Sequence, residues 1–548
     1  IKEARCAYTI LVMATFWITE VIPLPATALI PLIFYPFLGV MPGKDVAKYY
    51  MQDSTMIFIA GLMMALAIEK VDLHKRVATG ILLKIGATPT KILIGFVIPA
   101  WFLSMWISNT AATSMLVPAV EAVSGQMRLG MKKSKIARFD IFINHYKFDD
   151  NLGSTFHVDD TTDTKVTTTI NPITNELDSI ELDPKDEKKL KNLSKMLCLA
   201  IAYSANIGGT ATLTGSPTNL LVSEAAARSV FNMQSPLTYS TWLFMGFPVS
   251  LLCIIALAFW LKLVFLGWRF VCSIVCLYQE RALKKIMRAE YEKLGKITFG
   301  EISTAVLLLV MVLLWLTRDP GFIPGYASLF KDGYVTDASP AIIIVVLLFM
   351  YPMEKPRWLC MRARDEPALS VPSLLDWHTV TTKLPWGPIL LLGGGYAMAE
   401  GCERSGLTKL IGQQLSGIGS YEPWIIALIV TTIITFLTEI MSNTAIIALF
   451  LPILEAMSRD INLNPLYLML PAGLAASFAF MLPIATPPNA IVFSFGHLKV
   501  PDMMKMGFIM NIIGIAVVTM AINTWGIPLF NLHQSPWNAT ISSNITSG

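Results

Sequence analysis

The 548-residue chain is 54% hydrophobic and only 15% charged, with a mean hydropathy of +0.58, which excludes a set of water-soluble domains and describes a polytopic membrane protein. A net charge of +4 does not indicate nucleic acid, and seven scattered cysteines, odd in number and without metal-ligand spacing, argue against structural disulfides or zinc. Position 1 is Ile, so a preceding segment is expected and no signal peptide is judged.

A spanning helix needs about 20 apolar residues, and about eight to ten such segments are expected. Residues 6–22, 24–41 and 54–70 read as spans, and 77–86 as an interfacial stretch. Residues 91–124 are apolar but broken at Ser108-Asn109-Thr110. A straight helix of that length overshoots a bilayer of roughly 30 Å at about 1.5 Å per residue. Two half-depth helices meeting at the tripeptide, a re-entrant hairpin, fit better. Residues 127–196 are polar and read as a solvated loop. Residues 197–229 are apolar but interrupted over 208–217 by Gly and Pro, which predicts unwound backbone. Spans follow at 240–268, 301–316 and 339–353, with a basic surface helix expected over 269–297. Residues 388–400, 422–458 and 465–498 mirror the first half, with a break at 485–489, and 504–530 is the last span.

The mirroring is literal. At a constant offset of 334, Gly61, Met64, Ala65, Glu69, Leu73 and Lys75 match Gly395, Met398, Ala399, Glu403, Leu407 and Lys409, and Ser108-Asn109-Thr110 matches Ser442-Asn443-Thr444. Gly215-Ser216-Pro217-Thr218-Asn219 then resembles Ala485-Thr486-Pro487-Pro488-Asn489 at an offset of 270. Paired, Gly/Pro-interrupted apolar segments in corresponding halves point to the binding site of a secondary transporter. The loops 269–297 and 354–383 hold seven and five Lys/Arg and 317–337 holds two, so the first two are expected in the cytoplasm. The C-terminal tail then lies outside, where the sequons at Asn538 and Asn544 are usable and the one at Asn192 is not. The two hairpins enter from opposite faces, which makes the repeat inverted.

Hydroxyls, amides and carbonyls at two related places suit Na⁺, a hard cation that takes oxygen ligands. Helix N-termini after each Ser-Asn-Thr favour an anion between them, held by Asn109, Thr110, Asn443 and Thr444. With no Arg or Lys at either hairpin centre, a divalent anion needs co-bound cations. Glu69/Glu403 and Glu121/Glu455 read as architectural, with a proton relay as the alternative, and His74 as an interfacial anchor. No nucleophile elbow, phosphate loop or metal cluster appears, so an enzyme is not expected.

Further stretches carry a family resemblance: L-H-K-R at 73–76, S-M-W-I-S-N-T at 104–110, G-G-T-A-T-L-T-G at 208–215, R-D-P-G-F-I-P-G at 318–325, L-L-L-G-G-G-Y-A at 390–397, S-N-T at 442–444 and A-F-M-L-P-I-A-T-P-P-N-A-I-V-F at 479–493. Over essentially its whole length the chain resembles the divalent anion–sodium symporters, in particular the animal sodium–di- and tricarboxylate cotransporters. The resemblance implies an all-α elevator transporter, a homodimer in lipid, with inverted repeats, two re-entrant hairpins and two unwound helices. Scaffold helices would occupy 1–90 and 301–421. The transport domain would comprise hairpins 91–126 and 422–459, the unwound helix and following span 197–268, and 460–530. The cytoplasmic insertion 127–196, the basic linker 269–300 and the extracellular glycosylated tail 531–548 complete the chain. By resemblance, the first sodium site falls on Ser104, Ser108, Asn109 and Gly215, and the second on Thr438, Met441, Asn443 and Ala485. The substrate would meet Ser108, Asn109, Thr110, Ser216, Ser442, Asn443, Thr444, Thr486 and Pro487. Ser216-Pro217-Thr218 departs from the usual vertebrate wording.

The expected function is Na⁺-coupled uptake of succinate, malate, α-ketoglutarate or citrate at the plasma membrane, with a cytoplasmic N-terminus. A sodium–sulfate symporter and a sodium-independent carboxylate exchanger are the alternatives.

Overall fold

The computed structural model describes, apart from isolated positions, residues 1–85, 88–128, 183–229, 237–267, 288–355, 371–415 and 421–536. The sequons at Asn538 and Asn544 and most of the two basic loops lie outside the described residues. Among the described residues the fold is helical throughout, with one isolated bridge between Pro352 and Ser373.

The first half begins with α1 (Lys2–Thr19), which ends where Glu20 turns left-handed at φ 49°. Two short helices, α2 (Leu24–Thr27) and α3 (Ile30–Phe37), replace the single span read over 24–41; Pro at the start of each fits the first turn and divides the run. Then come α4 (Gly43–Lys48), α5 (Asp53–Lys70), α6 (Leu73–Ile85) and α7 (Pro89–Ser104). Thr88 caps α7 by accepting from the Lys91 amide. Residues 105–108 form a turn and a helix over 109–121, α8, follows.

Helix α9 (Pro184–Gly208) corrects the loop expected up to residue 196. Asp186 and Glu187 stand in its first turn, where acidic groups favour the helix dipole. Leu190, Leu193, Met196 and Leu197 bury one helical face. Lys and Asp on the other face give the stretch its loop-like composition. The helix stops at the glycines, and α10 (Pro217–Ser229) resumes with Pro in its first position. Helix α11 (Tyr239–Leu261) opens with a Thr238–Thr241 capping box and ends in a π turn, Lys262–Leu266. Its exposed Phe244, Phe247, Leu251, Ile255 and Phe259 form an apolar stripe, as a lipid-facing surface requires.

The second half contains α12 (Phe299–Arg318), α13 (Ala338–Met350), α14 (Trp377–Lys383), α15 (Trp386–Ser405), α16 (Leu407–Leu415), α17 (Pro423–Leu437) and α18 (Asn443–Asp460). Helices α19 (Leu466–Ala475) and α20 (Pro487–Ser494) flank the second break. This break runs over 476–486, so it starts well before the 485–489 expected. Helix α21 (Val500–Ala521), like α11, ends in a π turn, Ile522–Gly526, and α22 (Ile527–Phe530) closes the described chain. Among the described residues four helical stretches are long and apolar enough to cross a membrane, 43–70, 239–266, 299–318 and 500–530, and five shorter apolar helices accompany them.

Packing interleaves the halves. Helix α7 lies along α9, and its counterpart α17 along α19. The resumed helix α10 packs on α18 and α19 of the second half, while α9 packs on α20. Glycines on α15 bring it against the first helices: a Cβ at Gly394 would lie 2.6 Å from the Ala28 carbonyl oxygen, and one at Gly401 2.4 Å from the Tyr35 ring.

Candidate functional site

The first cluster forms around the turn between α7 and α8. Ser104, fully buried, donates to the Asn109 amide oxygen and lies 2.7 Å from the Ala205 carbonyl. The Asn109 side chain reaches over the first break: a Cβ on Gly209 would sit 2.9 Å from its Oδ1. Gly209 must therefore be glycine, and Gly215 likewise, since its Cβ would lie 2.6 Å from the Gly209 carbonyl oxygen. Asn219, the last residue of Gly-Ser-Pro-Thr-Asn, is buried and donates through Nδ2 to the carbonyls of Gly209 at 3.0 Å and Thr212 at 2.8 Å. Thr212 in turn donates to the Met105 carbonyl at 2.7 Å. The break is thus pinned at both ends, with Asn109, Gly209 and Gly215 packed together.

The second cluster repeats the plan. Thr438 donates to Asn443 Oδ1 at 2.5 Å and to the Ala476 carbonyl at 2.9 Å. Asn489 donates to the carbonyls of Ala479 at 2.9 Å and Leu482 at 3.0 Å. Ser104 and Asn109 map onto Thr438 and Asn443 at 334, and Gly209, Thr212 and Asn219 map onto Ala479, Leu482 and Asn489 at 270. Three main-chain carbonyls in each half are therefore held in corresponding roles, Ala205, Gly209 and Thr212 in the first and Ala476, Ala479 and Leu482 in the second. The main asymmetry is Glu439, where the first half has Met105. Its carboxylate accepts from the amides of Phe480, Met481 and Leu482 and from Asn511 Nδ2 at 2.7 Å. Those bonds satisfy unwound backbone that no helix partner reaches.

Of the sequence-expected residues, Ser104, Asn109, Gly215, Thr438, Asn443 and Ala485 lie at the two turns and breaks. Ser108 is exposed and caps α8 by accepting from the Ala111 amide at 3.2 Å. Thr110 is exposed, Thr444 is buried, and Met441 and Ser442 are half-buried at the second turn. Ser216 shares a 2.8 Å hydrogen bond with Thr218, and Thr486 accepts from Asn206 at 3.2 Å. Pro487 is exposed at the start of α20. Sequence reasoning missed Asn206, Asn219, Glu439 and Asn489. The signal for two of them was present, since the same Asn closes both five-residue motifs.

Helix N-termini surround these turns: α8, α10, α18 and α20 all start there. Each presents unpaired amides and partial positive charge. Between Lys91 and Arg128, and between Lys409 and Arg459, the chain has no Lys or Arg. The arrangement offers caged oxygens for a cation and amide dipoles for an anion, without a basic side chain from the segments that form either turn.

A cavity of about 800 Å³ borders α8 at Ala111, Ser114 and Met115 and is walled on its far side by Glu69, His74 and Lys383. His74 is buried, with Nδ1 donating to the Ile68 carbonyl at 3.2 Å. The repeated acids differ in setting. Glu455 is buried 3.3 Å from Arg459, which also lies 3.9 Å from Glu403, whereas Glu121 is exposed.

The chain resembles known proteins over its whole length. The family model for the sodium:sulfate symporter transmembrane region matches residues 1–532. Human solute carrier family 13 member 1 is 40% identical, over 100% of this chain and 94% of that protein. The mouse Na(+)/citrate cotransporter is 38% identical over 99% and 94%, and the human Na(+)/dicarboxylate cotransporter 3 is 38% identical over 100% and 92%. A solved structure, Neisseria gonorrhoeae MtrF, of a class described as antimetabolite efflux pumps, superposes with a TM-score of 0.50 at 11% identity, over 90% of this chain and 84% of that one. That likeness concerns the fold alone. Taken with the duplicated turns and breaks, the full-length match means that this chain belongs to the sodium:sulfate symporter family of membrane transporters.

Proposed function

We propose that this protein couples inward Na⁺ movement to uptake of a di- or tricarboxylate such as succinate, malate, α-ketoglutarate or citrate. The observation that carries the reading is the doubled oxygen cage: Ser104, Asn109 and the Ala205 carbonyl in one half, Thr438, Asn443 and the Ala476 carbonyl in the other. Two cages of neutral oxygens suit two sodium ions. The first takes Ser104, Ser108, Asn109 and Gly215, the second Thr438, Met441, Asn443 and Ala485. Bound cations then offset the charge of an anion seated among Ser108, Asn109, Thr110, Ser216, Ser442, Asn443, Thr444, Thr486 and Pro487. The names of two relatives pair sodium with citrate and with dicarboxylates.

In this reading, the two turns are tips of re-entrant hairpins in a transport domain that slides against a scaffold, within a homodimer in the plasma membrane. The N-terminus is cytoplasmic and the C-terminal tail extracellular. The cavity beside α8 serves as the route to one side.

The test is uptake of labelled succinate and citrate in NaCl and in choline chloride. Uptake is expected only with sodium, and Asn109→Ala and Asn443→Ala are each expected to abolish it while the protein still reaches the surface. Wild-type rates in either variant would remove the site assignment. Equal uptake in choline would leave an exchanger. The family model's description names sulfate, so failure to carry either carboxylate, with sulfate uptake instead, would overturn the substrate class.

A further inference from the structure

The two oxygen cages are tied to each other by crossed polar bridges, each carried by the residue next to a cage carbonyl. Ala205 gives its carbonyl to Ser104 in the first cage. The next residue, Asn206, points into the second: its Nδ2 donates to the Ala479 carbonyl at 3.3 Å, to Thr486 Oγ1 at 3.2 Å and to Asn489 Oδ1 at 3.5 Å. The second half returns the gesture. Ala476 gives its carbonyl to Thr438, and the next residue, Ser477, shares a 3.2 Å hydrogen bond with Thr218 beside the first break. Thr218 donates to Asn219 Oδ1 at 3.3 Å. Both pinning asparagines, Asn219 and Asn489, are thus engaged at Oδ1 by groups connected to the opposite cage. Asn206, Thr218, Asn219, Ser477 and Asn489 are all buried, so water does not compete for these bonds.

We infer that Asn206 and Ser477 are positioning residues that make the two cation sites cooperative. Ordering one cage fixes the helix end that carries its carbonyl. The adjacent side chain then fixes the asparagine that shapes the other cage. Such a link needs two distinct sites and a shared element that both bias, and α9 and the Ala476–Ser477 segment are those elements. The inference rests on the proposed sodium coupling, and the experiment separates the two.

The purified full-length protein is melted across a NaCl series, with choline chloride holding ionic strength constant, and succinate uptake is followed over the same series in proteoliposomes. The variants are Asn206→Leu, Ser477→Ala and the double variant. Wild type is expected to be stabilised by sodium and to show a Hill slope of about 2. Each single variant is expected to lower the slope and to raise the half-saturating sodium concentration by about 5-fold or more, with maximal uptake of Ser477→Ala within about twofold. The double variant is expected to reach a slope of about 1. Wild-type steepness in the variants, with only the maximal rate reduced, would assign the bridges a purely structural role and overturn the inference. Ser477→Ala removes only a hydroxyl and remains interpretable if Asn206→Leu folds poorly. Absence of any sodium effect on wild type would overturn the coupling reading itself, and the inference with it.

Discussion

Asn219 and Asn489 each hold two main-chain carbonyls with a single side-chain amide. An aspartate has the same outline and no donor. Asn219→Asp therefore leaves the Gly209 and Thr212 carbonyls facing a carboxylate in a buried setting, where each unmade bond costs about 1–3 kcal/mol. We expect a lower melting temperature in detergent and loss of sodium-dependent uptake; wild-type melting and uptake in Asn219→Asp would count against its role. The polar residues of the two turns were legible from their duplication. The pinning asparagines were visible only as the shared last letter of two motifs, because a motif shows which residues recur and not which carbonyls they reach. Asn206 had no such signal, since at the offset of 270 its counterpart is Ala476 and its partners lie more than 270 residues away.

Single elements are set by a few buried pairings. Arg76 on α6 bonds Glu301 Oε1 at 2.7 Å and the carbonyls of Leu294 and Gly295 at 3.0 Å, and both charged side chains are almost fully buried. Arg76→Ala leaves Glu301 without its cation, at about 3–5 kcal/mol, so α6 should loosen from α12 and melting should fall steeply. Arg76→Ala/Glu301→Leu should melt above the single variant; if it melts no higher, the stranded charge is not the cause. The cap of α14 behaves differently. Lys70, the main influence, together with bonds from Thr379, holds the Asp376 carboxyl far below the ordinary carboxylate range. A depressed pKa stabilises fully above the unfolded value and is lost as pH falls through and below it. The melting difference between wild type and Asp376→Asn should therefore be constant above about pH 5 and shrink below about pH 4. A difference that grew on acidification would contradict that linkage. Most helices were legible from apolar runs and Pro or Gly punctuation. The start of α9 was not, because an amphipathic helix with Lys and Asp on one face has the composition of a loop. The length of the second break was also hidden, since it depends on Glu439 drawing in three amides from another helix pair.

At the scale of the molecule, the halves cohere through close backbone approach as much as through side chains. Tyr35, fully buried, fills the space over Gly401. Gly401→Ala inserts a methyl into that ring, an overpacking that costs about 1–3 kcal/mol. The expected result is a lower melting temperature, partly recovered by adding Tyr35→Leu; no recovery would place the cost elsewhere. Repetition was legible from two constant offsets, whereas the interleaving of α9 with α20 and of α10 with α18 required the structure, because sequence order does not reveal which helices cross between halves. The oxygens gathered at the two breaks belong largely to the main chain. Every amino acid supplies that same carbonyl, so substitutions along the two breaks, the closely packed Gly209 and Gly215 apart, leave the carbonyl donors chemically constant while altering the side chains around them. In descent, the ion that drives transport and the cargo it drives are therefore free to diverge separately: lineages can exchange one anion for another on a fixed cationic engine.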